Sequence, residues 1–169
     1  NWRFDRQQWQ EAIAQSHIVM ITPISNPSGW DLDVDDRDWI VDIAKQNDVI
    51  IIADEAYNDA YRQIENYRSI HSYGENCLSI NSLTKVYSMG PIRFGWIISD
   101  IETISLARRI FMTFSGVMAS PTMKIGSAAL QNLSVVDEAI DYYRRENLPL
   151  LRAVLEQHGI VWNEPPAGV

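Results

Sequence analysis

The chain has 169 residues, 46% of them hydrophobic and 21% charged, which supplies a core for one globular domain and excludes a disordered or fibrous chain. Its net charge of -8 argues against a nucleic-acid partner, since duplex binding needs a basic surface to displace counterions. The longest apolar run, Val49-Ile50-Ile51-Ile52-Ala53, is too short to cross a bilayer, so no membrane association is expected. Cys77 is the lone cysteine, which points to a reducing, cytoplasmic setting. His17, His71 and His158 are spaced too widely for a metal site, and no metal is expected. The opening Asn1-Trp2-Arg3-Phe4-Asp5 has no signal-peptide character, and the close at Pro165-Pro166-Ala167-Gly168-Val169 is abrupt; both ends are expected to be incomplete.

Good helix formers from Arg6 to Gln15 carry Trp9 and Ile13 on one face. His17 to Ile24 is a β-branched run closed by the turn Ser25-Asn26-Pro27-Ser28-Gly29. A helix is expected from Asp36 to Asn47, capped by Asp35, with Trp39, Ile40, Ile43 and Ala44 as its apolar stripe. Val49 to Ala53 has the continuous apolarity of a strand buried on both faces. Leu78 to Leu83 and Phe94 to Ser99 are the next two strands. After Asp100, Ile104, Ala107, Ile110, Phe111 and Phe114 make a helical stripe, and Pro121 starts a second helix through Leu130. Val136 to His158 reads as a long helix kinked at Pro149 and stopped by Gly159, with Ile160 to Trp162 beginning another strand.

Strands alternating with helices indicate an α/β fold, whose ligands sit beyond the carboxyl ends of parallel strands. Asn26, Asp54, Tyr57, Ser82 and Lys85 all follow strand ends, and Arg93 precedes the fourth strand. A lysine able to form a Schiff base, with a carboxylate available to a pyridine nitrogen, is the donor set that pyridoxal phosphate uses. Three segments carry a closer likeness. Asn26-Pro27-Ser28-Gly29, Asp54-Glu55-Ala56-Tyr57, and Ser82-Leu83-Thr84-Lys85 with Arg93 eight residues on, followed by Gly95-Trp96, resemble in order the motifs of fold-type I, class I/II aminotransferases. The resemblance runs from Phe4-Asp5 to the Pro165-Gly168 tail. One departure is Ser88-Met89-Gly90-Pro91, where the family often has Gly-Leu-Pro-Gly.

The resemblance implies a three-layer α/β/α large domain with a mostly parallel sheet and one antiparallel strand. Residues 1–134 would belong to that cofactor-binding domain, and residues 135–169 to a linking helix and the start of a small C-terminal domain. It implies pyridoxal 5'-phosphate as cofactor, amino-acid and 2-oxo-acid substrates, and a homodimer. Lys85 would carry the cofactor and move the substrate proton. Asp54 would face the pyridine nitrogen, Asn26 and Tyr57 the ring 3-oxygen, and Ser82 and Arg93 the phosphate. A lysine that must attack an aldehyde needs a free amine, so Lys85 is expected in a water-poor cleft near Arg93. Trp30, beside the first turn, is near enough in sequence to approach the site.

Taken singly, each feature has an ordinary explanation: a surface lysine, a helix cap, a turn, half of a surface ion pair. Their joint order and spacing is what those explanations do not cover. A nucleotide-binding Rossmann domain fails for want of a Gly-x-Gly-x-x-Gly after any strand. Two alternatives share the fold: a carbon–sulfur lyase using the same residues, and a non-catalytic cofactor-sensing domain of a transcription regulator. The acyl-CoA-condensing branch usually has histidine where Tyr57 stands.

Overall fold

The computed structural model describes residues 4–61, 68–162 and 164, so the Pro165–Val169 tail lies outside the described residues. Four strands pair in chain order: β1 (Ile18–Ile21), β2 (Ile50–Asp54), β3 (Cys77–Ser82) and β4 (Gly95–Ile98). The first three are parallel and β4 returns antiparallel to β3, giving the mixed sheet expected from the sequence. Ile21 pairs with Ala53, and Asp54 with Ile80. That register brings the carboxyl ends of β1, β2 and β3 to one edge.

Helix α1 (Arg6–Ala14) starts at Asp5, whose carboxylate accepts from the backbone N–H groups of Gln7 and Gln8. Helix α2 (Val34–Gln46) is capped by Asp33, not by Asp35 as the sequence suggested. Asp33 Oδ1 accepts from Asp36 N at 2.8 Å, the bond from cap to third helical residue. Asp35 and Asp36 then fall in the first turn, where the helix dipole favours them. Ile13, Ile40, Val41 and Ala44 from these two helices meet Ile21, Ile51, Ala53 and Cys77 in the main core, which Ile70 completes. Burial raises the Cys77 thiol to about 11.

Arg37 on α2 is buried, and its head is fully employed. Nε donates to Leu32 O at 2.6 Å, Nη1 to Arg68 O at 3.3 Å, and Nη2 to Asp31 Oδ1 at 2.7 Å. One guanidinium thereby ties the loop after β1 to the segment before β3. Burial raises the Asp31 carboxyl above the usual range, and the neighbouring Arg37 offsets this only in part.

The opposite sheet face is covered unevenly. Helix α3 (Ile101–Phe114), capped by Asp100, lies toward β3 and β4, where Ile104, Ala107 and Phe111 share a cavity with the cross-strand pair Ile80 and Ile97. None of the α3 stripe is buried among the described residues, and Phe114 is 84% exposed. On β1 and β2 of that face, Ile18, Met20 and Ile50 are 55%, 65% and 47% exposed.

Helix α4 (Ser120–Gln131) has Gly126 against the Phe94 ring, where a Cβ would collide with the ring carbons. Helices α5 (Ser134–Tyr142) and α6 (Leu148–Gln157) are joined by a π-helical turn over Tyr143–Asn147. Leu148 N–H reaches back to Tyr143 O in that turn. The widened turn is where the chain accommodates Pro149, which has no N–H to give and would crowd the carbonyl four residues earlier. Ile160–Trp162 does not form a strand. Ile160 N and Gly159 N instead donate to Leu155 O at 2.9 Å and Glu156 O at 3.0 Å, a Schellman ending with Gly159 at φ 63°. No helix among the described residues is long and apolar enough to cross a membrane.

Arg37→Ala should destabilise the fold by about 3 kcal/mol, because it strands a partly buried carboxylate and two carbonyls. Asp31→Asn added to it should recover part of that loss; urea unfolding midpoints of the two variants check both.

Candidate functional site

The candidate residues lie at the ends of the three parallel strands or in the turns that leave them, except Arg93, which follows the 3-10 turn Gly90–Ile92 just before β4. After β1, Ser25 N donates to Trp30 O and Gly29 N to Ser25 O, at 2.9 and 2.8 Å, folding Asn26-Pro27-Ser28-Gly29 into a closed loop. Gly29 takes φ 63°, which only glycine adopts without penalty. After β2, Asp54 Oδ1 accepts from Ala56 N at 3.1 Å, and a 3-10 turn over Asn58–Tyr61 follows. After β3, Thr84 N donates to Ser82 Oγ at 3.3 Å, and Ser88 N to Lys85 O at 2.9 Å.

Packing brings these turns together. Ile24, Ala60 and Tyr61 form a second buried cluster, with Tyr57 and Val86 packed against it. Each of the three turns thus contributes an apolar side chain next to its polar one. Asn26 Nδ2 also donates to Tyr57 Oη at 2.7 Å, a polar link between the first two turns.

Ser82, Thr84 and Arg93 line a cavity of about 620 Å³ with Phe94, Trp96 and Phe111. Arg93 Nη1 donates to Gly90 O at 3.3 Å. Its backbone is left-handed, φ 54° and ψ 48°, an uncommon state for a bulky residue and one that concentrates at functional sites. Ser88 is also left-handed at φ 55°, at the position where the family pattern has glycine; this costs roughly 1–2 kcal/mol that glycine avoids.

Next to Asp54, Glu55 is buried at the strand end and accepts from Ser69 Oγ and, at 2.7 Å, from Ile70 N. Ser69 Oγ also bonds Ser79 Oγ at 3.0 Å and lies 2.8 Å from His71 Nδ1. Desolvation raises the Glu55 carboxyl above its usual range, against the pull of Ser69, Ile70, Ser79 and His71.

A family model for aminotransferase class I and II matches residues 1–169. The chain belongs to that family. It is 26% identical to histidinol-phosphate aminotransferase 2 of Idiomarina loihiensis over 80% of its own length, and 25% identical to an aspartate aminotransferase of Pyrococcus horikoshii over 98%. It spans 36% and 44% of those relatives, about two fifths of their length. Among solved structures, a PLP-dependent aminotransferase from Streptococcus suis superposes over 92% of the chain and 41% of its own, with a TM-score of 0.81 at 23% identity. A PLP-bound C-S lyase from Staphylococcus hominis superposes over the same shares, with a TM-score of 0.77 at 19% identity. These two likenesses concern the fold.

Within this class I and II aminotransferase chain, the six candidate residues fall into two joined groups and two flanking ones. Asn26 and Tyr57 are hydrogen-bonded, and Ser82 and Arg93 share the cavity. Asp54 ends β2 and Lys85 opens the turn that Ser88 N closes, and neither lines that cavity. Lys85 is exposed, so the described residues do not build the water-poor cleft expected around it. Trp30 lines a separate hollow with Phe4, Trp9 and Leu32, sharing no residue with the Ser82 cavity. Sequence reasoning passed over Thr84, although a hydroxyl two residues after Ser82 and adjacent to Lys85 was a usable signal. It also passed over Glu55 and Arg37, whose roles follow from burial.

The Glu55 environment sets a pH test. A carboxyl raised in the folded state contributes stability that is complete below its ordinary value of 4.5 and fades as pH rises through the raised folded value. Glu55→Gln has no such titration, so its stability relative to the parent should be greater at pH 8 than at pH 4. Urea midpoints of both proteins at the two pH values check this; a constant difference would mean that Ser69 and Ile70 fully compensate the charge.

Proposed function

We propose that the protein transfers an amino group between an amino acid and a 2-oxo acid, with pyridoxal phosphate held at Lys85. What carries the reading is the apolar cluster of Ile24, Tyr57, Ala60, Tyr61 and Val86, which gathers the three motif-bearing turns at one sheet edge. The donor set suits the cofactor. The Asp54 carboxylate at a strand end matches a protonated ring nitrogen, and the bonded Asn26–Tyr57 pair matches a ring oxygen. The Ser82 and Thr84 hydroxyls beside the planar fork of Arg93 match a phosphate.

When bound, the cofactor supplies an electron sink for the charge left as the substrate loses its α-proton. Lys85 Nζ would hold the cofactor, and its amine would carry that proton. Asp54 would keep the ring nitrogen protonated through a charge-assisted bond. Asn26 and Tyr57, bonded to each other, would hold the ring oxygen. Arg93 and Ser82 anchor the far end, so that binding energy remote from the reacting atoms orients them. The same reading takes the enzyme as a cytoplasmic homodimer, its single cysteine suiting a reducing setting.

Borohydride reduction of the cofactor-loaded protein should leave a pyridoxyl group on Lys85, found by peptide mass mapping; an adduct on Lys45 or Lys124 instead would overturn the assignment. Lys85→Ala should abolish the adduct. Arg93→Ala should weaken cofactor affinity by roughly 1.5–3 kcal/mol in a titration. Asp54→Ala should retain cofactor yet slow α-proton loss in half-reactions. With a panel of amino acids, turnover should depend on a 2-oxo-acid acceptor. Ammonia released without one would favour the lyase.

A further inference from the structure

Asp59 stands in the 3-10 turn two residues after Tyr57, and one of its oxygens collects two hydrogen bonds from the other side of the site. Asn81 Nδ2 and Tyr87 Oη each donate to Asp59 Oδ2 at 2.8 Å. Asn81 is 7% exposed and Tyr87 8%, so both donors are withdrawn from water, while Asp59 itself is half-buried. Both donors are neutral and the acceptor is a carboxylate, which makes the bonds charge-assisted. Asn81 passes the constraint on, since its Oδ1 accepts from Ser82 N at 2.6 Å. The two donors bracket Lys85, one just before Ser82 and the other two residues after the lysine.

We infer that Asp59 is a positioning residue, whose carboxylate grips both flanks of the Lys85 turn and sets where Lys85 stands relative to Tyr57. The Lys85 side chain is exposed, so its placement comes from the backbone on either side of it. Ser88, the residue immediately after Tyr87, holds an unfavourable left-handed backbone that needs restraint from its neighbours to persist. Trp96, edge-on to Tyr87 at 6.1 Å and paired with Asn81 across β3 and β4, keeps both donors in place. The positioning of the turn rests on geometry alone; its bearing on cofactor attachment rests on the function proposed above.

The test has two arms, both on Asp59→Asn and Tyr87→Phe, the second removing a single oxygen. In cofactor-free protein, hydrogen exchange read by peptide mass should rise about tenfold across residues 82–89 in both variants, while β1 and β2 keep the parent's rates. When pyridoxal phosphate is added, both variants should form the visible band about tenfold more slowly and with a displaced maximum. Unchanged exchange across 82–89 overturns the inference. So does a rise spread evenly over the sheet, which would make Asp59 an ordinary stability residue, or a local rise with band formation and maximum unaltered. If the parent forms no Lys85 adduct, the cofactor reading falls by itself, and the exchange arm decides whether Asp59 holds the turn.

Discussion

Everything at the candidate site depends on three short turns being held to one another at the carboxyl edge of a parallel sheet. Parallel pairing brings the strand ends to a common edge but leaves each turn free to lean away from its neighbours. The small cluster of Ile24, Tyr57, Ala60, Tyr61 and Val86 removes that freedom. It works because each turn places an apolar side chain one to three residues from a polar one. Burying the first presents the second. The Asn26–Tyr57 bond adds a polar link between the first two of these turns.

Polar side chains inside the protein make the longer connections. Arg37 spans from Leu32 and Asp31 to Arg68, Glu55 from the end of β2 to Ser69 and Ile70, and Asp59 from its own turn to Asn81 and Tyr87. A buried charge is costly unless its hydrogen-bonding capacity is met, and a met one tolerates little displacement of its partners. Apolar contacts would have allowed these segments to slide. Charged connectors tie each loop to named atoms, which suits a site whose side chains must agree in direction as well as in location.

The order of strands and helices was legible in the sequence because the strands are short continuous apolar runs and the helices have clear stripes. The polar strand ends and the first motif turn were legible from composition as well, whereas the antiparallel sense of β4 was legible only by resemblance. Boundaries were less so: three aspartates at 33, 35 and 36 compete for one cap, and only the bond from Asp33 to Asp36 N separates them. Ile160–Trp162 has the composition of a strand, yet its first N–H is taken by the end of α6. Glu55 and Asp59 were illegible for a different reason. Nothing in an isolated Asp or Glu tells whether it will meet water or a buried serine, asparagine or tyrosine that is distant in sequence. The stripe on α3 shows the converse, since apolar periodicity reports a face to be covered without saying what covers it.

The lone thiol of Cys77 has a practical consequence. It opens β3, the strand that carries Ser82, and it is both 1% exposed and raised to about 11 by burial. At neutral pH it is therefore protonated and out of reach of alkylating reagents while the sheet is intact. Being the only cysteine, it gives a single, unambiguous signal when β3 leaves the core. Its labelling rate under native conditions is a built-in clock for the opening of the central strand, readable without introducing any probe.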